Sequence, residues 1–160
     1  MKSKFKLSLM AFAAIVAVSC TGNKSENTVA NENHSRDAVT CTGIKGQWFL
    51  ENIVFSETDY VRPSEEVSGI RQYITFEDST YFIRTNCNTF SGSYTIKGDS
   101  ITLGDGVMTE KACDNMATED AIRKILPDIS TVCIENDSIV RLNSGNPSEY
   151  IVLHKVTERK

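Results

Sequence analysis

The chain has 160 residues, of which 40% are hydrophobic and 24% charged, a composition that suits one small globular domain. Its formal net charge is −4, and loss of the three lysines at Lys2, Lys4 and Lys6 would lower it to −7. Proteins that bind nucleic acid need a basic face to neutralise phosphates. An acidic chain of this kind therefore argues against nucleic acid as a partner.

Residues 1–19 have the pattern of a signal peptide. The lysines precede an apolar run over residues 7–18, which is shorter than the roughly twenty residues that span a bilayer but typical of an export signal. Ala17 and Ser19 then lead into Cys20, and this resembles a bacterial lipobox with Ala17 in place of the usual Leu. We predict an exported envelope protein acylated on Cys20, located at the outer membrane. The alternative is ordinary signal-peptidase cleavage, which would leave Cys20 as a free thiol.

The stretch that follows, residues 20–40, is rich in Asn, Ser, Glu, Thr and Lys and contains no aromatic residue. Such a composition buries too little apolar surface to offset the entropy lost on ordering. We predict that it is a disordered tether between the lipidated Cys20 and a folded domain at residues 41–157. The acyl chains would make the membrane a partner of the protein.

Cysteine usage predicts disulfides. With Cys20 acylated, Cys41, Cys87, Cys113 and Cys133 remain, and an even number outside the cytosol indicates two disulfides. Four cysteines allow three connectivities, among which spacing cannot choose. A metal site is the alternative, but the sequence has no C-x-x-C and only two histidines. We therefore predict no metal and no cofactor.

From Gly46 onward, apolar and polar residues alternate with the period of β-strands. The first strand is predicted to turn Trp48, Leu50 and Asn52 to one face. The second is predicted over residues 70–76, and further strands are predicted over residues 81–85, 93–96, 100–103, 131–135, 138–142 and 149–155. We predict a mainly β domain, a small antiparallel barrel of about eight strands, because closure removes exposed sheet edges.

One short helix is predicted between the strands. Thr118 is the expected N-cap, Glu119 and Asp120 lie in the first turn where the helix dipole favours anions, and Pro127 ends the run. The apolar residues of the run fall on one face. This face is expected to pack against a sheet or to plug one end of the barrel. Its members are Ala121, Ile122, Ile125 and Leu126.

Four motifs occur in a fixed order along the domain. They are Trp48-x-Leu50, Asn86-Cys87-Asn88-x-Phe90-x-Gly92-x-Tyr94, Thr109-x-x-Ala112-Cys113 and Glu119-x-x-Ile122-x-x-x-Leu126. In this combined spacing the chain resembles the META domain of HslJ-type envelope lipoproteins. Asn86 replaces the usual Gly, a mild change because Asn tolerates the left-handed region. Lys111 replaces Met, which predicts that this position points to water.

The resemblance implies a compact β-barrel-like domain, lipid-anchored or periplasmic, without established catalytic chemistry. Members of the family are linked to heat stress, antibiotic tolerance and motility. Its two motif cysteines match Cys87 and Cys113, so the resemblance implies that these two pair. Cys41 and Cys133 would then form the second disulfide.

The motif side chains have both functional and structural interpretations. Asn86, Asn88 and Ser91 could converge on a ligand, but we expect Asn88 to brace the turn after Cys87. Phe90 and Tyr94 are expected in the core. No catalytic motif occurs, His154 has no evident acid or nucleophile beside it, and we predict no catalytic residues.

The function favoured by the sequence is a non-catalytic envelope module that binds an unknown envelope protein or small ligand, in the context of stress. One alternative is a protease-inhibitor-like barrel that presents the long loop Ser56–Ser68. Another is a hydrolase acting on envelope or host material. In addition, the segments at Asp78-Ser79, Asp99-Ser100 and Asp137-Ser138 resemble the O-glycosylation acceptor of Bacteroidota envelope proteins, although hairpin-turn chemistry is the expected reason for them.

Overall fold

The structure, a computed structural model, describes residues 43–156. The predicted signal peptide, Cys20, the tether and Cys41 lie outside the described residues. The described chain has nine strands, two helices and one 3₁₀ turn. The strands are β1 Gly46–Val54, β2 Tyr60–Val61, β3 Tyr73–Phe76, β4 Thr80–Arg84, β5 Thr89–Lys97, β6 Ser100–Met108, β7 Ile129–Asn136, β8 Ile139–Ser144 and β9 Tyr150–Lys155. The helices are α1 Pro63–Glu66 and α2 Ala117–Ile125, and the 3₁₀ turn Leu126–Asp128 follows α2.

Eight of these strands form a closed antiparallel barrel, which confirms the predicted fold class. The order is β1-β3-β4-β5-β6-β7-β8-β9, and β1 pairs with β9 to close the barrel, while the short β2 adds to the edge of β1. The closure is uneven. Between β6 and β7 the ladder is reduced to one pair, Ser100 opposite Thr131, and the chain between these two strands contains α2.

The interior of the barrel is filled by apolar side chains from every barrel strand. Because side chains alternate along a strand, the inward row of each strand forms the core, and α2 adds Ile122 and Ile125 to it. Fully buried members of this core are Ile53, Ile74, Ile83, Ile101, Val132, Leu142 and Leu153. Close packing of this kind leaves the outer surface as the place where a ligand can bind. None of the helices within residues 43–156 is long and apolar enough to span a membrane.

The structure corrects the predicted face of the first strand and the predicted start of the second. In β1 the register shifts between Leu50 and Asn52, so Ile53 is fully buried and Asn52 leaves the inward row. A bulge inserts one residue and reverses the alternation beyond it. The second strand begins at Tyr73 instead of residue 70, and Ile70 lies in the preceding loop with 43% of its surface exposed.

Other boundaries also differ from the prediction. β5 and β6 are each nine residues long, because Gly and Ser residues continue the ladder where the apolar alternation fades. The N-cap of α2 is Met116, and Thr118 is a buried residue inside the helix instead of the cap. The three Asp-Ser segments lie at the β3–β4, β5–β6 and β7–β8 turns, as hairpin chemistry predicts, and their glycosylation stays a prediction.

Candidate functional site

The family motif forms the turn between β4 and β5, which is bonded to the segment after β6. Asn88 is fully buried at the centre of this turn. Its Nδ2 donates to the carbonyl oxygen of Lys111 (2.9 Å), and its Oδ1 accepts from the Thr109 hydroxyl (2.8 Å) and from the Lys111 N–H (2.7 Å). Every polar atom of the Asn88 side chain is therefore used inside the protein. Asn88 braces the turn, as expected, and is not free to contact a ligand.

A disulfide joins the same two segments. Cys87 is bonded to Cys113, with their Cα atoms 6.1 Å apart, which is the pairing that the family resemblance implies. Cys133 is exposed on β7 and forms no disulfide within residues 43–156, and its predicted partner Cys41 lies outside the described residues. The Cys41–Cys133 disulfide thus stays a prediction.

Glu119 on α2 is the motif residue whose role the sequence did not reveal. It was expected to lie in the first turn for its favourable interaction with the helix dipole, but its side chain is fully buried. Its Oε1 accepts from the Thr85 hydroxyl (2.6 Å) and from the Asn88 backbone N–H (2.5 Å), while its Oε2 has no partner in the described chain. Glu119 therefore fastens the motif turn to α2. In the sequence, the feature that could have indicated this role is the position of Glu119 as the first residue of the fourth motif.

The aromatic motif residues belong to the core. Trp48 donates its indole N–H to the carbonyl oxygen of Ile44 (2.6 Å), and the Tyr94 hydroxyl donates to the carbonyl oxygen of Glu77 (2.5 Å). Burial raises the pKa of Tyr94, since an uncharged phenol is favoured away from water. Phe90 is buried and Ala112 is exposed.

Gly92 is required by a close contact. A Cβ at this position would lie 2.8 Å from the hydroxyl oxygen of Tyr81, a buried core residue, and burial also raises the pKa of Tyr81. Asn86 donates its amide to the carbonyl oxygen of Asn115 (2.9 Å). The motif as a whole thus holds two loops and a helix in place.

An open groove of about 320 Å³ lies elsewhere, on the outer surface of the barrel. It is bounded by β1, by the end of β9 and by the segment from α1 to β3, and we call it the strand-one groove. Its apolar lining residues are Phe49, Leu50, Pro63 and Ile70. Its uncharged polar lining residues are Ser64 and Gln72, and its basic lining residues are Arg71, His154 and Lys155.

The register of the sheet explains how this groove is built. Trp48 and Leu50 point inward, so Phe49 points outward, and it is paired with His154 on β9 and with Tyr73 on β3. The Arg71 guanidinium lies over the Phe49 ring, 4.9 Å from its centroid. This arrangement could not be expected from the sequence, because Arg71 lies in a loop within the run of residues 70–76 that is predicted as a strand.

The floor of the groove is fixed by Gln72, which is 3% exposed. Its Nε2 donates to the carbonyl oxygen of Pro63 (3.0 Å), and its Oε1 accepts from the backbone N–H of Asn86 (3.0 Å). Ser64 lines the groove with His154, but no hydrogen bond joins the Ser64 hydroxyl to the His154 ring. No group of three or more potential metal ligands occurs in the described part of the chain.

A second groove, of about 430 Å³, separates β6 from the end of α2. We call it the β6 groove. It is lined by Leu103, Met108 and the 75%-exposed Val107 on β6, and by Arg123 and Leu126 on the helical side. The groove lies along residues 103–108 of β6, where no described strand pairs with the edge of β6 that faces β7.

Comparison with known proteins identifies the class. The META domain family model matches residues 42–156, and the chain therefore belongs to the META domain family. A search among curated proteins gave no match.

Two solved structures share the fold. One is an NMR structure of a protein from Burkholderia xenovorans, with 20% identity over 76% of this chain and 88% of that chain and a TM-score of 0.61. The other is a crystal structure of a DUF4847 family protein from Bacteroides vulgatus, with 11% identity over 74% of this chain and 97% of that chain and a TM-score of 0.53. At these identities the similarity concerns the fold alone.

Proposed function

We propose that the protein is a non-catalytic binding module of the cell envelope, anchored to a membrane through acyl chains on Cys20. It binds a ligand or partner protein on the outside of the barrel, at the strand-one groove. The observation that carries this proposal is the contrast between the filled barrel interior and an open groove lined by both apolar and basic side chains. Concave sites with an apolar lining and a few polar groups are typical ligand sites.

The absence of a hydrogen-bonded catalytic pair in the groove supports a non-catalytic role. A general base acts on a nucleophile within hydrogen-bond reach and is itself oriented by a third group. Among the described residues, His154 has neither a hydrogen-bonded carboxylate nor a hydrogen-bonded hydroxyl. A hydrolase would instead turn over generic ester, glycoside or peptide substrates, and such activity in the purified chain would contradict the proposal.

The segment Ser56–Ser68, proposed above as an inhibitor loop, is folded onto the domain. It contains β2 and α1, the backbone N–H of Phe55 donates to the carbonyl oxygen of Asp59, and the Asn115 side chain donates to Glu66. An inhibitory loop has to project in order to enter a protease cleft. The groove therefore supports binding better than this segment does.

The anchor is tested by comparing the chain with its Cys20→Ser variant in the cell in which it is made. We expect the natural chain to incorporate labelled palmitate and to remain with the membrane fraction. The variant should lose both properties. Equal membrane retention of the two proteins would contradict lipid anchoring.

Binding is tested with a photoreactive amino acid placed at Ile70, an exposed residue of the strand-one groove. The matched control places it at Val107, an exposed residue of the β6 groove. We expect a cross-linked product in intact envelopes from Ile70 and none from Val107. Cross-links from Val107 alone would move the binding site to the β6 groove and overturn the proposal.

A stress role is part of the proposal, and deletion of the gene should reduce survival after heat shock.

A further inference from the structure

We propose that the strand-one groove binds an amphiphilic anion, a small molecule in which a carboxylate or phosphate group is attached to an apolar body. This inference rests on the proposed function, because it names the chemical class of ligand for the same groove. It is carried by the lining of the groove, in which apolar and basic side chains occur together and acidic side chains are absent.

The apolar side of the groove suits the body of such a ligand. Phe49 and Ile70 offer partly exposed apolar surface, with Ile70 exposed to 43% although it is a large hydrophobic residue. Covering such surface is favourable by about 25 cal/mol per Å². The volume of about 320 Å³ lies at the lower end of the range for small-molecule sites. A short alkyl chain or one ring would therefore fill it.

The basic side of the groove suits the acidic group. Arg71 and Lys155 both line it, and neither forms an ion pair within the described residues, although acidic residues outnumber basic ones in this part of the chain. Other basic side chains do find carboxylate partners, namely Lys45, Arg62, Lys124 and Arg141. The charges in the groove are therefore available to a ligand.

The position of Arg71 joins the two sides. Its guanidinium is held over the Phe49 ring by a cation–π contact, which orders the side chain without using its N–H donors. A guanidinium offers paired donors to carboxylate or phosphate oxygens. An acidic group bound to Arg71 would place its apolar body against Phe49 and Ile70. Gln72 is not expected to bind the acidic group, because its side-chain nitrogen and oxygen already form hydrogen bonds within the protein.

The experiment is calorimetric titration of the mature chain, without the predicted signal peptide of residues 1–19 and with Cys20→Ser to remove the acylation site. The probes are octyl phosphate below its micelle concentration, inorganic phosphate and 1-octanol. We expect octyl phosphate to bind at least about tenfold more tightly than inorganic phosphate or 1-octanol. Inorganic phosphate can form only the charged hydrogen bonds and 1-octanol only the apolar contact, and each of these alone gives a lower affinity than both together.

Three variants locate the site. Arg71→Gln and Ile70→Ser should each weaken octyl phosphate binding by about tenfold, the loss expected for one charged hydrogen bond or for the apolar contact. Arg84→Gln is the matched control, because Arg84 is exposed on the neighbouring outer surface but does not line the groove. Unchanged circular dichroism and melting temperature would show that all three variants are folded.

Two results would overturn the inference, namely absence of octyl phosphate binding and an equal loss in Arg84→Gln. If octyl phosphate does not bind but phosphatidylglycerol-containing vesicles do, the groove region is a flat membrane contact instead of a ligand site. A protein cross-link from Ile70 together with no octyl phosphate binding would retain the proposed function and reject only this ligand class.

Discussion

Replacing Glu119 with alanine should destabilise the domain by about 3 kcal/mol, since two buried donors, the Thr85 hydroxyl and the Asn88 N–H, lose a hydrogen-bond acceptor. A buried donor left without its partner costs about 1–3 kcal/mol. Thr85 and Asn88 retain bonds to each other, so the total lies in the lower half of the range of about 2–6 kcal/mol for two donors. For a domain of this size the loss corresponds to a melting temperature lower by roughly 10–15 °C.

Glu119→Gln keeps the hydrogen-bond acceptor and changes only the second oxygen of the carboxyl group. The amide oxygen can still accept from both donors, whereas the amide nitrogen would occupy the position of Oε2, which has no partner in the described chain. We expect a loss of about 1 kcal/mol, the net value of an ordinary hydrogen bond. The two variants therefore differ by about 2 kcal/mol, which is well above the error of a denaturant midpoint comparison.

The assay is urea unfolding followed by circular dichroism, with Glu57→Ala as the control at an exposed position. The control should change stability by no more than about 0.5 kcal/mol. If Glu119→Ala behaves like Glu57→Ala, or if the Gln and Ala variants lose the same stability, then the two hydrogen bonds do not fasten the motif turn.

Three further predictions concern the disulfide, a glycine contact and a buried phenol. Cys87→Ser and Cys113→Ser should each cost about 3.5 kcal/mol for a loop of 26 residues, with no further loss in the double variant; additive losses would contradict the disulfide. Gly106→Ala should cost about 1–3 kcal/mol in urea unfolding because its Cβ would overlap a carbonyl oxygen of β5, whereas Gly145→Ala, with no atom within 4 Å of the new Cβ, should be nearly neutral. Burial raises the pKa of Tyr81, so the stability it contributes is complete below about pH 10 and is lost as pH rises through the folded pKa. An alkaline absorbance titration should show a delayed tyrosinate signal from Tyr81 and Tyr94, and Tyr81→Phe should remove the part of it that belongs to Tyr81.

The sequence was sufficient for the fold class because the barrel strands keep a regular alternation. The β-rich runs predicted as strands at residues 81–85, 138–142 and 149–155 match β4, β8 and β9 to within about two residues, and the family resemblance implied the Cys87–Cys113 disulfide. The prediction from this alternation failed where the backbone is not a regular extended strand. The bulge at Leu50–Asn52 reversed the face of β1, and the short elements β2 and α1 are too brief to leave a periodic signal.

The candidate site was less predictable than the fold. Glu119 has the sequence context of an exposed first-turn acid, and only the packing of α2 against the motif turn buries it. Arg71, His154 and Lys155 come from a loop and from β9, and they share a groove only because the β1–β9 pairing closes the barrel. Such proximity arises from tertiary structure and leaves no local pattern in the chain.

The single residue pair between β6 and β7 has a consequence for the motion of the domain. Few backbone bonds cross this line: the Ser100–Thr131 pair and a bond from the Val132 N–H to the carbonyl oxygen of Asp99. Amide hydrogens along the unpaired side of β6 should therefore exchange with solvent before those of β5, which is paired on both sides. The barrel is therefore expected to open first between β6 and β7. The five strands from β1 to β6 in sheet order and the three strands β7, β8 and β9 would then stay joined through the β1–β9 pairing.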